Sequence, residues 1–174
     1  MRPLSRRHRG NLPADVVRSL PLLPGEQVLA SAEDDAGRWY AGTALALLVP
    51  EHDGWRRLPW ESIERATWDR DSERLVVVET AEFGQPEPTY RAALSSPERL
   101  LELTRERITA SIVVTMFEPV AGKRGVTVSG RRSPHSDDDL AWSVLVDRGL
   151  DEGSAEVRAA AERGLAAARS EIGL

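Results

Sequence analysis

Three histidines and 28 carboxylates are the groups with which this chain could bind a metal ion or move protons. His8 lies in a basic arm, His52 in the turn Glu51-His52-Asp53-Gly54, and His135 in the polar loop Ser133-Pro134-His135-Ser136-Asp137-Asp138-Asp139. A zinc site needs several converging donors, and the turn around His52 offers none beyond its own two acids, so a solvated turn is expected. His135 and its three aspartates have the composition of a cation loop. The calcium pattern, however, requires a glycine at the sharp turn and a distal glutamate, and neither stands at the right offset. No cysteine is present, which excludes disulfides, thiolate catalysis and cysteine-held zinc. Gly122-Lys123-Arg124-Gly125 lacks the spacing and the Ser or Thr of a phosphate loop, and Val128-Ser129-Gly130 is not a nucleophile elbow. No acidic pair sits in a setting suited to acid–base work. The expectation is a protein that is not an enzyme and takes no cofactor or metal; the alternative is an enzyme with an unfamiliar site.

The remaining chemistry is cationic. Arg56 and Arg57, Arg124, and Arg131 with Arg132 form short basic groups near the ends of extended runs. A guanidinium fork suits bidentate contact with carboxylates, so these five are the candidate partner-binding residues, docking an acidic segment of a protein. The alternative is a solvated rim. A formal net charge of −5 argues against a general nucleic-acid binder, whose affinity would come from neutralising phosphates. Residues 1–11 carry Arg2, Arg6, Arg7 and Arg9, a tail that can attach weakly to an anionic membrane. No apolar stretch follows the arm as a signal peptide requires, and no run approaches the roughly 20 residues of a membrane helix. A cytoplasmic protein is expected.

The elements that would position these groups organise around Trp55 to Glu79. Ile63–Trp68 and Leu75–Val78 read as a hairpin closed by Asp69-Arg70-Asp71-Ser72, whose side chains can take up turn donors. Pro59 marks a break, and Trp60 behind it is read as a core anchor whose indole needs an acceptor. The alternative for Trp55, Trp60 and Trp68 is an aromatic ligand platform. Upstream, Pro13–Leu20 has helical spacing, Glu26–Ala32 alternates as a first strand, and Trp39–Val49 reads as one long extended segment bent or bulged at Gly42-Thr43. Downstream, Thr89–Leu94 is a strand, and Ser96-Pro97-Glu98 opens a helix with a capping hydroxyl and the stripe Leu100, Leu101, Thr104, Ile108. Ser111–Phe117, Gly125–Arg131 and Leu140–Asp147 read as strands, and Ser154–Ile172 as an alanine-rich amphipathic helix.

This order resembles a bacterial pleckstrin-homology-like (GRAM-like) domain over about residues 25–108. The resemblance rests on Gly25-Glu26 opening a strand, Ala41-Gly42-Thr43, Leu58-Pro59-Trp60-Glu61-Ser62-Ile63, and Trp68-Asp69 before Leu75. It implies an α+β fold: a curled antiparallel PH-like sheet or barrel with a capping helix from Pro97, followed by an appended three-stranded antiparallel sheet and a C-terminal helix. The expected division is a basic arm and short helix at 1–24, the PH-like domain at 25–109, and a β-β-β-α extension at 110–174 packed on it. The resemblance also implies a binding or adaptor role, with a protein as partner. Phosphoinositide-binding members carry lysines and arginines in the first inter-strand loop. Here that loop is Glu33-Asp34-Asp35-Ala36-Gly37, which would repel a phosphate headgroup.

Overall fold

A computed structural model describes residues 12–133 and 140–174. The fold is α+β. Seven antiparallel strands form one open sheet: β1 (Val28–Asp34), β2 (Trp39–Thr43), β3 (Ala46–Glu51), β4 (Gly54–Pro59), β5 (Ile63–Asp69), β6 (Arg74–Glu79) and β7 (Thr89–Ser95). Their order is β4-β3-β2-β1-β7-β6-β5, so the chain builds one half outward, crosses through a short 3-10 helix at Trp60–Ser62, and returns inward along the other. β4 and β5, at the two edges, do not pair with each other. Helix α1 (Ala14–Ser19) precedes the sheet and helix α2 (Glu98–Ser111) follows it. A second antiparallel sheet, β8 (Ile112–Ala121), β9 (Arg124–Arg131) and β10 (Ala141–Val146), has β9 at its centre, and helix α3 (Ala155–Glu171) closes the chain.

The hairpin around which the sequence is organised forms as its turn chemistry dictates. The Asp69 carboxylate accepts the Asp71 and Ser72 backbone N–H groups at 3.0 and 3.4 Å and the Ser72 hydroxyl at 2.6 Å. At the other end of β5 the register slips between Ile63 and Arg65, leaving Glu64 as the extra residue of a bulge. The slip changes the phase of the strand. Ile63 before it and Ala66 and Trp68 after it all reach the main core, which alternation alone would forbid.

Trp60 is fully buried in that core, and its indole N–H donates to the Thr43 carbonyl at 3.1 Å. Strands β1–β7 and α2 all send side chains into the same cluster. The opposite face of β2 and β3, with Ala41, Ala46 and Leu48, is covered by Leu20, Leu22 and Trp55. Strand β3 is thus apolar along both faces because both are covered. The helix α2 lies close over β2 at Gly42, where an added Cβ would meet Leu103 at 2.7 Å and Leu100 at 3.2 Å.

Two local expectations fail for physical reasons. The Trp39–Val49 segment is two strands, with the turn at Ala44-Leu45 rather than a bend at Gly42. The Thr43 hydroxyl makes that turn by accepting the Leu45 and Ala46 N–H groups at 3.1 and 3.0 Å, so two apolar residues can sit where no turn residue announces itself. Ser96 does not cap α2. Its φ is 48°, Pro97 takes the N-cap position, and no side chain supplies the cap bond. Other boundaries shift slightly: β1 runs to Asp34 and β8 continues to Ala121.

In the second sheet, Val126 and Val128 of β9 pack under Val157, Ala160 and Ala161 of α3. Gly164 lets the helix approach, since a Cβ there would meet Val128 at 2.8 Å. Ser154 caps α3 by accepting the Val157 N–H at 3.2 Å. The expected alanine-rich packing face is therefore present. Replacing Trp60 with Ala should lower stability by about 3–5 kcal/mol in chemical denaturation, since it removes the largest fully buried side chain and strands the Thr43 carbonyl. A loss below roughly 1 kcal/mol would show that the core does not rest on it.

Candidate partner-binding site

The five candidate arginines serve different ends. Arg57, on β4, forks onto the Glu26 carboxylate with Nη1–Oε2 and Nη2–Oε1 distances of 2.7 and 2.8 Å. Glu26 has a side chain only 2% exposed and also accepts from the Thr43 hydroxyl and the Leu23 N–H. Burial pushes the Glu26 carboxyl up, but the Arg57, Leu23 and Thr43 hydrogen bonds together outweigh it and hold the group below its ordinary value. Arg56 donates to Glu79 Oε2 at 2.9 Å and lies over the ring of Tyr90, 5.8 Å from its centroid. The Tyr90 hydroxyl donates to the same oxygen at 3.0 Å, and burial with this hydrogen bond pushes the phenol up to about 12.

Arg131, at the end of β9, is buried, with a side chain 4% exposed. Its Nη2 donates to the Glu64 carbonyl at 3.0 Å and Nη1 to Ser111 Oγ at 3.4 Å, with the Glu64 carboxylate 3.8 Å away. Glu64 is the bulged residue of β5, so its carbonyl is available to the arginine. Burial lowers the Arg131 pKa and Glu64 partly restores it. This arginine joins the two sheets. Arg124 opens β9 about 23 Å away by strand rise, with Nη1 3.4 Å from the Gly149 carbonyl. Arg132 follows β9, half-buried, its backbone N–H on the Ser111 carbonyl at 2.8 Å.

The aromatic platform is likewise absorbed by packing: Trp60 is in the core, Trp68 packs against it, and the Trp55 indole donates to Ser19 Oγ at 3.1 Å. His52 and Asp53 are 2.8 Å apart and both fully solvated. Among the described residues no group of three His, Cys, Asp or Glu side chains could hold a metal ion. His135, Asp137, Asp138, Asp139 and the arm with Arg2, Arg6, Arg7 and Arg9 lie outside the described residues.

In the first inter-strand loop the Asp34 carboxylate turns inward. It accepts the Ala36 and Arg38 N–H groups at 3.0 and 2.8 Å and Arg38 Nε at 2.8 Å. Of the other two acids, Asp35 is exposed in the loop and Glu33, at the end of β1, is half-buried.

One open concavity of about 360 Å³ adjoins Glu26, lined by Pro24, Gly25, Gln27, Leu29, Ala44 and Leu45, and another lies away from the five arginines. A cleft of about 380 Å³ separates the β6–β7 loop, with Ala81, Phe83, Gly84 and Glu87, from Val144, Leu145 and Val146 of β10 and from Glu152. Three consecutive strand residues lining one wall mean that the wall is the backbone edge rather than a face. Arg65 and Glu87 pair across part of it at 3.0 Å, while Phe83 is exposed. Nothing in the residue types marked this cleft in advance, because which strand of a three-stranded sheet is an edge is set by pairing order.

Compared with known proteins, the chain matches no family model, no curated protein and no solved structure.

Two outcomes follow from these groups. Glu26, ionised below its ordinary pKa in the fold, contributes stability that is fully present above the unfolded value of 4.5 and is lost as pH falls through the lower folded value. Denaturation midpoints measured down through this window should fall more steeply for the wild type than for Glu26→Gln, and equal slopes would show that the pair does not couple to folding. Titration calorimetry of the chain without residues 1–11, using a soluble inositol polyphosphate at moderate salt, should give a flat trace, because Arg56, Arg57 and Arg131 are already bonded within the fold and Glu33 and Asp35 oppose the phosphates. Saturable micromolar binding would overturn this.

Proposed function

We propose that the chain is a non-catalytic binding or adaptor module that recognises a protein partner, built on a PH-like curled sheet at residues 25–109 with the extension at 110–174 packed on it. The curl is supported by strand order and by the core: residues from both halves of the seven-stranded sheet meet in one cluster beneath α2. Arg56 of β4 reaching Glu79 of β6 supports it too, since the two strands stand near opposite edges of the sheet.

The observation that carries the protein-binding reading is the cleft beside β10. It joins an open concavity, an exposed aromatic at Phe83 and a stretch of unpaired strand edge, features that bind polypeptide rather than a small charged headgroup. No helix among the described residues is long and apolar enough to cross a membrane. A chain without cysteine has no disulfide for a reducing compartment to break, and we propose the cytoplasm as its place.

The test is photo-crosslinking in the native cell. A photoreactive residue replacing Phe83 should give a discrete protein adduct that the same residue at exposed Arg70, in the β5–β6 turn, does not give. Equal adduct patterns from the two positions, or none from Phe83, would overturn the reading.

A further inference from the structure

Among the described residues strand β10 has one neighbour, β9, and its pairing from Ala141 to Val146 is regular, with no bulge. The Asp147 N–H donates to the Gly125 carbonyl at 3.0 Å, which fixes the phase of the ladder. In an antiparallel pair the residues bonded to the partner alternate, so Ser143 and Leu145 face β9 while the N–H and C=O of Val144 and Val146 point outward, into the cleft. The other edge of the same sheet is different. Strand β8 carries two register shifts and Pro119, the devices by which sheet edges are blunted. One edge is protected and the other is left regular and open.

We propose that the partner enters as an extended peptide that adds a strand to β10, pairing with the outward backbone groups of Val144 and Val146. This rests on the protein-binding reading above and specifies its mode. The side chains set the peptide's chemistry. Val144, Leu145 and Val146 are each half-buried, so apolar surface remains uncovered on both faces of the edge, and exposed Phe83 stands on the opposing wall. An incoming strand of either phase meets apolar surface, which calls for a short apolar core. Of the charged residues lining the cleft, Arg65 and Glu87 neutralise each other, and Glu152 is left exposed with no partner among the described residues. The peptide is therefore basic beside its apolar core.

The experiment selects random dodecapeptides displayed on phage against the full chain and uses the most enriched one, made synthetically, as the probe. Enriched sequences should carry a short apolar run flanked by Lys or Arg. Hydrogen exchange with the probe bound should slow at the Val144 and Val146 amides. Val144→Pro removes an outward donor without touching the β9 ladder, and should weaken probe binding by at least about tenfold while the near-ultraviolet spectrum of the tryptophans is kept. Glu152→Gln should weaken it about two- to fivefold at low salt and reduce the salt dependence. A probe that binds but protects amides elsewhere would overturn strand addition while leaving the protein-binding reading to the Phe83 crosslink. Failure to enrich any peptide, with Phe83 crosslinks still obtained, would overturn the linear-peptide mode. Loss of both would overturn the two together. If Val144→Pro unfolds, the exchange pattern of the wild type decides.

Discussion

The carbonyl of Thr43 and the indole of Trp60 form the contact on which the larger sheet depends. A tryptophan with no exposed surface leaves its one donor nowhere else to go, so the 3-10 crossover can dock only where the end of β2 presents an oxygen. The same threonine, through its hydroxyl, closes the β2–β3 turn and meets Glu26, which in turn holds Arg57 on β4. One residue thus ties together the crossover, the turn and the chain entering β1. The arrangement fixes where the two halves of the sheet meet before any individual side chain in the core is considered.

Charge is distributed by the same logic. A buried cation must find oxygens, and Arg131 finds the carbonyl released by the β5 bulge and the carboxylate of the residue that forms it. Arg56 and Arg57 are committed to Glu79 and Glu26. A chain rich in arginine need not present a basic surface. Here Arg57 and Arg131 are taken up by the fold, and the open surface beside β10 is bounded by backbone, aromatic, acid and the paired Arg65.

What the sequence made legible was what short-range chemistry decides. The Asp69-to-Ser72 turn, the burial of Trp60 behind Pro59, and the Ser154-capped alanine helix follow from residues within a few positions of one another. The Ala44-Leu45 turn was not legible, because its hydrogen-bonding group sits on Thr43 rather than in the turn itself. Ser96 misled because a Ser-Pro-Glu start is compatible with a left-handed serine as well as with a cap. Arg131 and Arg132 are adjacent and identical in type, and only the approach of β5 makes the first interior and the second half-exposed. The cleft lay furthest from reach, since it depends on the order of strands and on a loop some sixty residues away in sequence.

The Arg131–Glu64 bond spans 67 residues and ties the larger sheet, with its core cluster, to the second sheet, with its own. Both Glu64 oxygens that the guanidinium meets belong to the residue of the β5 bulge, so the contact exists only where the larger sheet has its own register in place. The guanidinium works as a latch.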